Sequence, residues 1–407
     1  MDPLAALPLV EKMSSRVFRV LGMNPGKFTL QGTNTYIIGH GPRRILLDTG
    51  EGKPGYIPLL DAALSHLGVS RISDIIMTHW HHDHTGGLPP LLERLRAQHP
   101  QSPLPKVWKR FNSDRDPALL KKLADKGLHY RSEPSSIPAT STALTSGDTS
   151  GPPRAYESLA KNLEPMPTST SPSPSTVTST DSVVWDIADN QIFRGQDTTL
   201  HALHTPGHTT DHMAFYLEEE RALFSGDCVL GHGTAVFEDL HQYIQSLKRL
   251  RQYDALCIYP GHGAVVTDPS ATLDAYIRHR MDREEEIIHL LSSQPTIALG
   301  NALRGPAHDG EEALNGNTDG YGGDGFHQLL LGQLHPISDR PTGPGGAPLW
   351  TSRELVQVIY AKYPKSLYDA AEASVLLHLA KLQYEDRADT VLVEDKTYWT
   401  LPETRRR

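Results

Sequence analysis

Ten residues, Thr78-His79-Trp80-His81-His82-Asp83-His84-Thr85-Gly86-Gly87, constrain this chain more than any other stretch. They follow an apolar run, Ile75-Ile76-Met77, that reads as a short buried strand, and Gly86-Gly87 reads as the break after it. Open α/β sheets place ligands at such strand ends. Neutral imidazoles and a carboxylate suit zinc and related divalent ions. A loop that folds back can aim His79 and His81 at one ion, and Asp83 and His84 at a second. The plain alternative is a polar loop with capping residues, but histidine is uncommon and a His-x-His-x-Asp-His string by chance is rarer still.

Three more apolar runs end in a Gly-flanked His or Asp: Thr205-Pro206-Gly207-His208-Thr209, Phe224-Ser225-Gly226-Asp227 and Tyr259-Pro260-Gly261-His262-Gly263. Singly, each has an ordinary reading as a loop histidine or a turn or N-cap aspartate. As a set they supply two three-residue shells, His79, His81 and His208 for one ion and Asp83, His84 and His262 for the other, with Asp227 between them. A carboxylate can bridge two ions about 3.5–4 Å apart, the spacing used in two-metal hydrolysis. Asp48 also ends a strand. It is either a turn aspartate or a group that accepts a hydrogen bond from a ligating imidazole and sets its tautomer. His212 and His232 can contact substrate or transfer a proton, with a bland core or surface role as the alternative. His82 is expected to point away from the site, and His201 and His204 to serve the surface or core.

Around these motifs the chain reads as paired strands at 17–21, 34–39 and 44–48, a helix over 55–68, and a helix from Leu88 opened by its prolines. Strands are expected at 199–204, 213–217, 222–227 and 256–260, and helices at 240–250 and 270–291. Residues 134–181 are rich in Ser, Thr and Pro and read as a disordered insertion. Residues 293–349, rich in Gly, Pro and Asn, read as a second flexible insertion. The catalytic region is thereby divided into 1–133 and 182–292, with a small helical, winged-helix-like unit at 350–407. There Thr351-Ser352-Arg353-Glu354 can form a capping box, and Leu355, Val358, Ile359, Leu376, Leu377, Leu379 and Leu382 supply apolar faces.

The formal charge of −9 offers no global field for nucleic acid or an anionic membrane. Only two cysteines, Cys228 and Cys257, are present, which fits a reducing compartment; both are expected to be buried. No run approaches the roughly 18–20 apolar residues of a membrane span. The first residues lack a signal-peptide core and carry no Arg before Arg16, so the expectation is an intracellular, cytoplasmic protein.

Asp48, His79-x-His81-x-Asp83-His84, His208, Asp227 and His262 resemble the motif series of the metallo-β-lactamase superfamily. Within it the chain is similar to the lactamase-beta-like-protein-2 group, through Asn24-Pro25-Gly26-Lys27-Phe28-Thr29-Leu30-Gln31-Gly32-Thr33-Asn34-Thr35-Tyr36, Gly41-Pro42-Arg43-Arg44, Leu47-Asp48-Thr49-Gly50, Phe224 to Gly231 and Thr234 to Leu240. The resemblance covers roughly residues 10–110, 183–292 and 350–403. It implies an α+β fold, a four-layer αββα sandwich with metals at one edge, and two zinc ions. The group holds mitochondrial single-strand-specific endoribonucleases of animals, which keeps a mitochondrial location open. It also holds fungal thioesterases that release polyketides from the acyl carrier domain of a polyketide synthase. Gly26-Lys27 and Gly233-Thr234-Ala235 look closer to the fungal proteins.

Three readings follow. The first is a dinuclear zinc thioesterase of secondary metabolism, with Asp83 mainly a ligand and secondarily a proton acceptor. The second is a metal-dependent endoribonuclease, for which Arg278, Arg280 and Arg283 can supply a phosphate-binding groove. The third is a non-catalytic module that binds a protein partner through residues 350–403, against which the full ligand set argues.

Overall fold

Why the chain forms two sheets is visible in its burial pattern. In the first sheet, β1 (Val10–Lys12), β2 (Val17–Leu21), β3 (Asn34–Ile38), β4 (Arg43–Leu47), β5 (Arg71–Met77), β6 (Lys106–Lys109), β7 (Leu128–Arg131) and β8 (Ser182–Trp185) are ordered β1-β2-β3-β4-β5-β6-β8-β7. Every residue of β2 and β3 is buried, as expected of strands covered on both faces. The second sheet comprises β9 (Ile192–Gly195), β10 (Thr198–His204), β11 (Met213–Leu217), β12 (Ala222–Gly226) and β13 (Cys257–Pro260), ordered β13-β12-β11-β10-β9. β12 and β13 pair in parallel; its other pairs are antiparallel. The computed structural model describes residues 4–111, 128–131, 182–293, 296–298, 334–336 and 341–405.

Three apolar cores separate four layers. Leu60, Ile75 and Leu91 join the first sheet to α1 (Tyr56–His66) and α3 (Leu88–Gln98), which flank the one-turn α2 (His82–Thr85). Tyr36, Ile76, Phe215 and Phe224 fill the space between the sheets. Leu223, Ile244, Leu247 and Leu273 seat α4 (Leu240–Arg251) and α5 (Pro269–Leu291) on the second sheet. This is the αββα, α+β arrangement that the motif series implied. β5 begins earlier than the apolar run alone suggests, because Asp74 is satisfied in place, its Oδ1 accepting from Trp108 Nε1 at 2.9 Å.

The last unit contains α6 (Ser352–Ile359), α7 (Tyr368–Tyr384) and a hairpin, Asp389–Val393 against Lys396–Thr400. Its capping box is complete: Thr351 Oγ1 accepts from Glu354 N at 3.3 Å and Glu354 Oε2 from Thr351 N at 2.8 Å. Leu355, Val375, Leu379 and Leu382 pack with Trp350 and Trp399, and the end of α5 contributes Ile287, Leu290 and Leu291. Leu376 is on the outer face of α7 and 41% exposed, since the buried stripe runs through 371, 375, 379 and 382.

The 134–181 insertion lies outside the described residues, as does most of 293–349. Within the latter, Ala347 and Leu349 are buried. Cys228 is buried but Cys257, at the start of edge strand β13, is only half-buried, and both are free thiols. No helix among the described residues is long and apolar enough to cross a membrane.

Candidate metal centre

The ends of β5, β10, β12 and β13 come together at one edge of the sandwich. His79 follows β5, His81 caps α2, and the first turn of α2 carries Asp83 and His84. The turns after β10, β12 and β13 bring in His208, Asp227 and His262. Two donor groups result: His79, His81, His208 and Asp227, and Asp83, His84 and His262, the donor atoms of each lying within 4.8 Å of one another. In the first, His79 Nε2 is 2.9 Å from His81 Nδ1 and 3.2 Å from His208 Nε2. In the second, His84 Nε2 is 3.3 Å from His262 Nε2 and 3.4 Å from Asp83 Oδ2. Asp227 stands between them, with Oδ1 3.4 Å from His84 Nε2 and Oδ2 3.8 Å from His208 Nε2.

The donor chemistry fits a bound cation. His208 Nδ1 faces the Val236 carbonyl at 2.8 Å, which only accepts, so the neutral form of the ring carries its hydrogen there and a lone pair on Nε2. Thr78 Oγ1 donates to Asp48 Oδ2 at 2.9 Å and so accepts from His79 Nδ1 at 3.0 Å, leaving a lone pair on His79 Nε2 as well. Two buried lone pairs thus face each other, an arrangement that a metal ion between them relieves. Asp227 Oδ1 and His262 Nδ1 are buried with no hydrogen-bond partner.

Proton affinities differ between the groups. Burial, then His84 and His208, holds His79 well below the usual imidazole range. Burial and His208 bring His81 down to about 4. Burial also opposes charge on His84 and His262, but nearby carboxylates outweigh it. Asp227, Asp83 and Asp48 raise His84 well above its ordinary value, and Asp227 and Asp83 push His262 up to about 9. Burial works against the Asp83 carboxylate, yet His84 and His262 bring it down to about 2.

Asp48, left open between two roles by the sequence, accepts from His84 Nδ1 at 2.8 Å and from Thr78 N at 2.8 Å. His212 has both ring nitrogens engaged by the protein. It is fully buried, its Nε2 accepts from Asp227 N at 3.1 Å, and its Nδ1 meets Thr205 Oγ1 at 2.8 Å. Its Nε2 thereby meets the backbone of the Asp227 turn. His232 is partly exposed and belongs to neither donor group. His82 is exposed, His201 pairs with Glu218, and His204 meets the Thr210 carbonyl.

Sequence reasoning missed Thr78 and Val236. Thr78 lies beside the motif and a hydroxyl there was a usable signal, whereas Val236 acts through its carbonyl and left none. The stretch from Asn24 to Tyr36 also gains a function. Asn34 Nδ2 donates to the Pro260 and Gly263 carbonyls at 2.9 Å, and Tyr36 Oη donates to Pro260 O at 2.7 Å, so these side chains hold the His262 turn. Arg280 is buried on α5 with its guanidinium 4.8 Å from the Phe237 ring, so it does not line a surface groove with Arg278.

A family model described as the metallo-beta-lactamase superfamily matches residues 28–262, and one described as a beta-lactamase associated winged helix domain matches residues 351–397. The chain is 36% identical over 302 residues to an atrochrysone carboxyl ACP thioesterase of Aspergillus novofumigatus, over 74% of this chain and 71% of that protein. It is 30% identical over 402 residues to the beta-lactamase-like protein 2 homolog of Drosophila melanogaster, over 98% of this chain and 99% of that one. A solved beta-lactamase domain protein from Burkholderia ambifaria shares the fold, with a TM-score of 0.57 at 15% identity over 98% of this chain and 95% of that one. These matches span both units of the structure, and the chain belongs to the metallo-β-lactamase superfamily as a metal-dependent hydrolase carrying its associated winged helix domain.

Proposed function

We propose that this protein is a dinuclear zinc thioesterase that releases a polyketide from an acyl carrier protein inside the cell. Five imidazoles and two carboxylates form a nitrogen-rich donor set suited to zinc. His79, His81 and His208 would hold one ion, Asp83, His84 and His262 the other, and Asp227 would lie between them. When bound, such ions polarise a carbonyl and bring the pKa of water toward neutrality. The chain's own residues fix that chemistry in place. Asp48 and Thr78 orient His84 and His79, the Val236 carbonyl orients His208, and His212 holds the Asp227 backbone. Asp83, the more exposed of the two site carboxylates with 23% of its side chain open, is the acceptor for a proton leaving the attacking water.

The observation that carries the thioester reading is the state of His212. A phosphodiester needs its leaving oxygen protonated, while a thiolate departs without help. His212 Nε2 accepts a backbone N–H and is closed to solvent, so it has no proton to give there, which removes one of the two histidines considered as a donor to a leaving oxygen, His232 being the other. Burial, followed by His208, also holds this imidazole well below its usual range. Relatives named acyl-carrier-protein thioesterases at 36% and 35% identity support the same substrate class. The test is a side-by-side assay of the zinc-loaded protein on an acyl-carrier-protein thioester and on a labelled single-stranded RNA, with Asp83→Ala and His84→Ala as controls. Product release from the carrier, lost in both variants, is the expected result. Cleavage of RNA alone, equally lost in the variants, would make the protein a nuclease.

A further inference from the structure

His208 presents Nε2 to the first donor group while its Nδ1 lies on the Val236 carbonyl at 2.8 Å. Val236 does not secure itself: it is 61% exposed and residues 232–238 form no helix or strand. The residues on either side of it are gripped by one side chain. Arg280 Nη2 donates to the Ala235 carbonyl at 3.1 Å, and the guanidinium sits 4.8 Å from the Phe237 ring. Phe237 in turn stacks on Tyr243 at 5.2 Å and 19°. Four residues earlier on α5, Tyr276 Oη donates to the Gly233 carbonyl at 2.8 Å.

Arg280 is an unusual choice for a residue that merely fills space. It is 7% exposed, its Nε has no hydrogen-bond partner, and among the described residues no carboxylate pairs with it. A buried cation without a counter-charge is unfavourable unless its donors are needed where they lie. An apolar side chain of similar length would pack between α5 and the loop without that penalty. What it would lack is the donor to Ala235 O and the planar face over Phe237.

We infer that Arg280 is a positioning residue of the metal centre: by clamping residues 235 and 237 it keeps the Val236 carbonyl on His208 and so fixes that ligand's tautomer and ring direction. This rests on the reading of His208 as a ligand.

The full-length Arg280→Met variant is to be compared with wild type in two ways. The metal-free protein is examined by long-range nitrogen–proton NMR of the histidine rings, with His208→Ala identifying the His208 signals. The cobalt-loaded protein is examined by its visible ligand-field bands and by chelator competition. In wild type, His208 should show the single Nδ1–H tautomer. In Arg280→Met it should become a mixture, with shifted bands and about tenfold weaker retention of one metal equivalent. Arg280→Lys, which keeps one donor, should lie between the two, and it carries the comparison if Arg280→Met does not fold. An unchanged tautomer in the variant overturns the inference, and so does unchanged cobalt binding. If wild type binds no metal, the metal reading fails by itself, and the tautomer measurement still decides whether Arg280 positions His208.

Discussion

Asp48→Asn isolates one link in the metal centre. Asp48 accepts three hydrogen bonds, from His84 Nδ1 at 2.8 Å, Thr78 N at 2.8 Å and Thr78 Oγ1 at 2.9 Å. Asparagine keeps one accepting oxygen. If that oxygen stays on Thr78 N, the new amide group points its hydrogens at the His84 N–H and the Thr78 hydroxyl, both donors. In the neutral form that binds metal, His84 must then either leave a fully buried N–H unpaired or hold its hydrogen on Nε2, the atom that faces His262 and Asp83. Backbone strain does not confuse the result, because Asp48 has φ 58° and asparagine tolerates that left-handed region. A hydrogen bond to a charged group is worth about 1.5–3 kcal/mol. At about 1.4 kcal/mol per decade this is roughly ten- to hundredfold weaker metal binding, the range found for groups that orient metal-ligating histidines. The assay is competition with a chromophoric chelator, with circular dichroism confirming that the variant folds. A folded Asp48→Asn protein that binds both equivalents within about twofold of wild type would refute the reasoning.

Other perturbations test the surrounding structure. Metal entering the Asp83, His84 and His262 group must displace protons, since His84 sits well above the usual range and His262 at about 9. Its affinity should therefore rise from pH 7 to 9 by about tenfold per unit for each proton displaced. The group containing His79 and His81, whose protons are already gone, should show no such rise; calorimetry in buffers of different ionisation enthalpy separates the two, and equal proton release for both equivalents would contradict it. Lys109→Met leaves the fully buried Asp211 without its cationic partner at 2.7 Å and should cost about 3–5 kcal/mol of stability in denaturant melts. The Lys109→Met/Asp211→Asn double variant should recover most of that loss, and a double variant no better than the single would dismiss the pairing. Gly207→Ala puts a Cβ against the Tyr243 backbone at φ 131°, in the turn that presents His208. We expect about 3 kcal/mol or more of destabilisation together with loss of one metal equivalent, and a variant as stable as wild type would show that the turn adapts.

Several parts of this protein are legible in its amino-acid sequence. Strands at 17–21 and 34–38 announce themselves through apolar β-formers such as Val17, Phe18, Val20, Tyr36, Ile37 and Ile38, and the structure buries every residue in them. The seven ligand candidates stand out because the chemistry requires His and Asp side chains, and turn geometry puts Gly or Pro beside them. The structure brings those seven into two donor groups through pairings across long sequence separations, such as His84 with His262 and His79 with His208. What lies one contact behind them is not legible there. By sequence Asp48 is equally a turn aspartate or a partner of a ligand, and only its distance to His84 separates the two. His212 sits four residues after His208 and looks equally available, yet packing closes both of its nitrogens. Arg280 reads as part of a basic helix face, and burial turns it inward onto Ala235 and Phe237. Val236 is invisible for a simpler reason: every residue has a carbonyl, so only the tertiary path of the loop decides which one meets His208. Residue identity thus determined which atoms can bind metal, and the packing of distant segments decided which of them are aimed, which are held and which are buried for support.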